Sequence, residues 1–180
     1  MHPAIATLRI LWAAILTSTL ILAGVLAFGV RGGEPMTEPV MLAALGAAAL
    51  TLAVMSRVMF AALLRQGFAR EAPRIEQAHD PHSAMAQYRG AAPTRRVFAN
   101  RDQAIKNALR ALHSATIVAL AMSEAVGILG FVLGFLGFGW QKVAPFFVLS
   151  VALIASLFPS EKKAVSALER HHDAVMPDRS

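Results

Sequence analysis

Four apolar stretches, separated by clusters of proline, glycine and charge, dominate the pattern of hydrophobic and polar positions. The first covers residues 8–30 and carries no charge beyond Arg9, near its start. The second covers 39–64. Pro39 suits a first helical position, where no intrahelical N–H is needed, and Arg57 interrupts the run. The third covers 111–138. The fourth, 143–158, is shorter, with Pro145 near its start and Pro159 closing it. A helix rises about 1.5 Å per residue, so about 20 apolar residues cross the hydrocarbon of a bilayer. The four runs therefore predict four transmembrane helices. A cleavable signal peptide is the competing reading of the first run, because Ala27-Phe28-Gly29 offers small residues two apart. Its length exceeds the roughly 7 to 15 residues of a signal core, which favours a retained helix.

Between the second and third runs the chain is polar. Pro73, Pro81 and Pro93 divide residues 65–106 into pieces too short for a long helix, which predicts a loop with one short amphipathic helix near 83–88. Asn100 followed three residues later by Gln103 has the form of a capping box, which starts a helix running on into the third span. After Pro159, Ser160 is placed to cap a charged tail helix reaching about His172, within a tail of residues 160–180.

Composition agrees with the pattern. The chain of 180 residues is 56% hydrophobic and 16% charged, where soluble domains carry about a quarter charged residues. Its mean hydropathy is +0.54. Charge then orients the spans. Of the 17 Lys and Arg residues, only Arg31 and Lys142 fall in the two short turns, between the first and second and the third and fourth spans. By the positive-inside rule the amino terminus, the 65–106 loop and the tail are cytoplasmic. The expectation is an all-α, four-transmembrane-helix bundle, one membrane domain over 1–180 with both ends inside, in a bacterial cytoplasmic membrane. Trp140, between the last two spans, suits the interface.

The net charge of +6 is explained by this orientation and by attraction to anionic lipid; no recognition motif accompanies it, so no nucleic-acid partner is expected. The absence of cysteine excludes disulfides, thiolate metal sites and cysteine nucleophiles. His79 and His82 are three apart, and His113 and the His171-His172 pair lie elsewhere, with no third ligand at a convincing spacing for a metal. No phosphate loop, serine elbow or paired-carboxylate arrangement is present, so no catalytic residue, metal or cofactor is assigned.

One feature of the third span carries chemistry. Glu124 lies within an apolar run, and an acidic side chain in hydrocarbon is costly unless neutral, paired or facing a wet cavity, so it marks a candidate site together with Ser123. Gly127, Gly130, Gly134 and Gly137 follow at spacings of 3, 4 and 3, which at about 100° per residue confines them to an arc of about 80°. That flat face, with Gly130 and Gly134 as a GxxxG pair, suits close approach of another helix, either the second span or a copy of the same chain. Glu124 projects at the edge of this seam, about 60° from Gly127.

Two readings of Glu124 stay open. Burial makes it a proton or cation site in one. In the other it is held ionised by Arg57, which lies at a similar depth, about 24 to 26 Å from the outer boundary.

At Ala121-Met122-Ser123-Glu124-Ala125-Val126-Gly127-Ile128-Leu129-Gly130-Phe131 the sequence resembles the carboxylate-bearing helix of rotary ATP synthase and ATPase c subunits, the proteolipids. That helix also runs outward from the cytoplasm and follows a loop bearing an Arg-Gln pair, for which Arg65-Gln66 is a loose counterpart. The resemblance covers about thirty residues and implies that Glu124 carries a proton or sodium ion. The departures are a polar segment of about forty residues where that family has a short loop, and Gly46 alone where its inner helix has many glycines. Gly24-Val25-Leu26-Ala27-Phe28 echoes Gly127-Ile128-Leu129-Gly130-Phe131, which leaves a parallel duplication open beside chance. The functional expectation is an interaction or accessory membrane subunit with a buried glutamate on a glycine-faced helix; the alternative is proton or cation translocation through Glu124. Its expected partners are the bilayer and another membrane helix.

Overall fold

A computed structural model of the chain describes residues 3–29, 39–70, 73–79 and 94–176. Within them the apolar runs fold as helices, each longer than its run: α1 (Pro3–Phe28), α2 (Pro39–Arg70), α3 (Arg101–Phe135) and α4 (Trp140–Ser156). A fifth helix, α5 (Glu161–His172), and two short strands, β1 (Ile75–His79) and β2 (Thr94–Phe98), complete the elements. α1, α2 and α3 are each long and apolar enough to cross a membrane. α4, at 17 residues, is too short to be counted alone, so the candidate spans number three, or up to four if α4 and α5 together make one.

The helix ends show why the spans differ from the apolar runs. α2 begins at Pro39, as a first-position proline should, but continues to Arg70, and α3 begins at Arg101, ten residues before its apolar run. At the start of α3, the Gln103 N–H donates to Asn100 Oδ1 at 3.0 Å, the cap expected there. The reciprocal half is absent: Gln103 Nε2 donates to Asn107 Oδ1 instead, at 3.0 Å. Ser160 precedes α5 as expected but makes no side-chain cap.

α3 stops at Phe135, before the expected 138, because Gly137 takes φ 88°. The Phe138 N–H donates to Leu133 O and the Gly137 N–H to Gly134 O, both at 3.1 Å. This pair of bonds closes the helix in a Schellman motif, and a left-handed residue at that position favours glycine. Gly137 is therefore a terminator, and its assignment to the helix-packing seam is corrected. The turn it makes leads directly to α4, which starts at Trp140, three residues earlier than its apolar run.

Residues 65–106, expected as a loop, instead hold the end of α2, both strands and the start of α3. The chain divides into two compact units, one of Met1–Leu63 with His113–Pro159, the other of Leu64–Leu112 with Ser160–Ser180. The 83–88 helix expected from sequence lies outside the described residues.

The first unit is all helical. Its core gathers Leu26 of α1, Ala49 of α2, Val126 and Leu133 of α3, and Phe146 and Phe147 of α4. Further along the helices a second cluster joins Ala119 and Leu120 of α3 to Ile154 and Leu157, with Trp12 and Phe60 against it. Trp12 donates its indole N–H to Ile154 O at 2.7 Å and meets Phe158 edge to face at 5.2 Å, while the Arg9 guanidinium lies over the same Phe158 ring. A buried indole requires such an acceptor.

The second unit holds the strands. β1 and β2 pair antiparallel, from Ile75↔Phe98 to His79↔Thr94. Val97 and Phe98 supply the buried side chains, and Val175 of the tail adds a parallel bridge to Val97. α5 ends with Asp173 in the left-handed conformation and the Ala174 N–H on Glu169 O at 3.2 Å; Glu169 Oε1 then accepts from the Met176 N–H at 2.9 Å. These bonds turn the tail back toward β2.

Candidate functional site

Just over two turns of α3, from Ala119 to Gly127, receive a small hydroxyl side chain from each of the other helices of the first unit. Thr19 of α1, Ser56 of α2, Ser123 of α3 and Ser150 of α4 are all fully buried. Ser123 Oγ donates to its own Ala119 O at 2.7 Å. Ser56 Oγ lies 3.0 Å from the same carbonyl and 3.1 Å from Ser123 Oγ, so its single proton is shared between two acceptors on α3. Ser150 Oγ donates to Ser123 O at 2.7 Å, and Thr19 Oγ1 to Ile15 O within α1 at 3.0 Å. Every hydroxyl in the layer is satisfied, which is the condition for a polar group in an apolar surrounding. Ser123, expected as part of an ion site, is a joint between helices in this geometry.

Glycine makes the approach possible. A Cβ on Gly127 would stand 3.1 Å from Ser150 Oγ and 3.2 Å from Thr19 Cγ2. On Gly130 it would meet Phe146 Cβ at 2.7 Å, and on Gly134 Leu26 Cδ1 at 2.6 Å. The seam read from sequence is thus occupied, but by α1 and α4. The expectation that α2 or a second copy fills it is corrected.

Glu124 lies on a different face. Ile117, Ala121, Glu124, Ile128, Val132 and Phe135 recur at spacings of 4, 3, 4, 4 and 3, which places them in an arc of about 80°. The chain leaves this arc largely uncovered: Ile128 is 45% exposed and Phe135 71%. Glu124 is half-buried within it. Arg57 is exposed, and its guanidinium donates to Ser156 Oγ of α4, which in turn donates to Leu153 O at 2.5 Å. Among the described residues no ion pair joins Arg57 to Glu124, and that expectation is corrected. The reason is azimuth: Ser56 is turned onto α3, and the next residue projects about 100° further round α2.

In the second unit the adjacent His171 and His172 join an aromatic cluster. Their rings meet edge to face at 4.8 Å, with His171 against Phe68 at 5.5 Å and His172 against Phe98 at 6.1 Å. Burial, then the neighbouring His171 and Arg96, pull the His172 pKa below its usual 6.5, against a hydrogen bond with the Phe68 backbone that raises it. Its Nε2 is buried without a partner. His113 is half-buried on α3; His79 belongs to β1, and His82 lies outside the described residues. Among the described residues no three His, Asp or Glu side chains gather as a metal site.

No protein-family profile matches the chain. No curated protein is significantly similar to it, and no solved structure is either.

Proposed function

We propose that the protein is a small integral membrane protein of a bacterial cytoplasmic membrane, a four-helix bundle with both ends inside, acting as an interaction or accessory subunit. The face it offers a partner helix is the Glu124 arc of α3. One observation carries this reading: the chain fills the glycine face of α3 with its own α1 and α4, and leaves the face bearing its half-buried acid uncovered. A carboxyl group on a face turned to hydrocarbon is stabilised by a donor from a neighbouring helix or by a proton. A partner supplies the first, and the resemblance of residues 121–131 to c-subunit helices supports the second, in which Glu124 gains and releases a proton or cation.

The chain contains no cysteine, so single cysteines can be introduced cleanly. Ala121→Cys and Ile128→Cys, treated with oxidant or a short cross-linker in native membranes, should give a discrete cross-linked species, and Leu50→Cys on α2 should not. Absence of any product from both α3 positions would reject the partner reading. A carbodiimide that modifies protonated carboxylates separates the alternative: labelling of Glu124 that rises as pH falls, without cross-linking, supports proton exchange.

A further inference from the structure

Among the described helices, α5 separates its apolar and polar residues most sharply, and its polar side is cationic. Ala164 and Leu168 are buried, whereas Lys162, Lys163, Ser166 and Arg170 are exposed. At about 100° per residue these four exposed positions fall in an arc of about 100°, centred opposite Ala164 and Leu168. The helix is fixed by one side and presents two ammonium groups and a guanidinium on the other.

The acids of α5 are turned elsewhere. Glu161 and Glu169 are both half-buried, and Glu169 Oε1 accepts from the Met176 N–H at 2.9 Å, which commits it to the tail. Arg170 Nε donates to Ser166 O at 3.1 Å, a neutral partner on the same arc. The positive balance extends to the whole unit. Its sequence holds 13 Lys and Arg against 8 Asp and Glu, whereas the first unit holds 4 against 3, so nearly all of the net charge of +6 belongs to the second.

The chain keeps this face near the end of an apolar run. Phe158 closes the fourth run, and Lys162 and Lys163 follow it by 4 and 5 residues. Even a fully extended chain covers no more than about 3.6 Å per residue, so both lysine backbones stay within about 18 Å of that point. The potential of an anionic leaflet decays over about 8 to 10 Å, and flexible lysine stems extend the reach of their charges toward it.

We propose, on the membrane reading above, that the outer face of α5 binds the headgroups of anionic phospholipids. A headgroup layer offers negative charge without fixed geometry, which suits cations spread along a helix face. The arc holds no large apolar side chain to insert among the acyl chains, so the contact is electrostatic and sensitive to salt.

A fluorophore on Ser166→Cys, the only thiol the chain would then contain, reports from the middle of the arc. The labelled full-length chain is placed in nanodiscs of phosphatidylcholine, alone or mixed with phosphatidylglycerol, each with the same trace of phosphatidylcholine bearing a nitroxide quencher on its headgroup. At low ionic strength quenching should be at least about twofold stronger in the mixed discs. The difference should vanish near 1 M salt, where the screening length is about 3 Å. Lys162→Gln/Lys163→Gln/Arg170→Gln should abolish the dependence on phosphatidylglycerol, Lys162→Arg/Lys163→Arg should keep it, and Lys106→Gln on α3 should leave it unchanged. Equal quenching in the two kinds of disc overturns the proposal and leaves an acidic protein as the occupant of this face; a triple variant that keeps the dependence overturns it too. Release of the chain from native membranes by alkaline carbonate would instead strike the membrane reading itself, so the two failures are distinguishable.

Discussion

The two faces of α3 carry different kinds of residue and meet different surroundings. On the glycine face, side chains have been reduced to hydrogen at 127, 130 and 134, and each missing methyl marks an atom of α1 or α4 that occupies its place. On the other face, Ile117, Ile128, Val132 and Phe135 are large and exposed, with Glu124 between them. Close packing explains the first completely, since small residues allow helices to approach and dispersion contacts accumulate with proximity. Among the described residues nothing covers the second. Small residues in this helix therefore report internal contacts, and the large ones together with the acid form the face proposed for an external one.

That contrast can be broken by substitution. Gly130→Val is the most damaging change, because even its first carbon collides with Phe146 Cβ, an atom fixed by the α4 backbone; we expect a loss of about 2 to 3 kcal/mol in reversible denaturation in detergent. Ile128→Ala, on the uncovered face, should leave the isolated chain nearly unchanged, and a similar loss at both positions would erase the distinction. Gly137→Ala forces a left-handed backbone on a residue with a Cβ and should cost about 1 to 2 kcal/mol. Ser56→Ala removes one interhelical hydroxyl whose acceptors Ala119 O and Ser123 Oγ sit on α3, with an expected loss of about 0.6 kcal/mol by the same assay.

A further change should be confined to the second unit. The His172 pKa is lowered in the folded chain, so the unfolded state takes up a proton first as pH falls. The associated stability is present above the usual 6.5 and is lost as pH drops below it through the folded value. Protection factors of the Val97 and Phe98 amides, taken against the intrinsic exchange rate at each pH, should fall over that interval, and His172→Gln should flatten the response. Protection factors that stay constant with acid in the parent chain would remove His172 as a source of pH-dependent stability.

Hydropathy was enough to locate the helices because each long apolar run must hydrogen-bond its own backbone, and the spacing of Gly127, Gly130 and Gly134 was enough to identify a packing face. Which helix fills that face was hidden, since periodicity describes one helix and is silent about its neighbour. Arg57 shows the same limit. Its depth matched Glu124, but its direction is set by Ser56 docking on α3. Gly137 was grouped with the seam by spacing, and only its φ distinguishes a terminator from a packing residue. The strands escaped because each has five residues, only Val97 and Phe98 of the second being described as buried, and no short turn joins them.

Glu124 lies on a face of α3 that the described residues leave largely uncovered. Spin labels placed singly at each position from 117 to 135 of the full-length chain in nanodiscs, and relaxed by dissolved oxygen, test it directly. Accessibility maxima are expected at 117, 121, 124, 128, 132 and 135, and minima at 120, 126 and 133. A label at 124 as protected as those at 126 and 133 would contradict it.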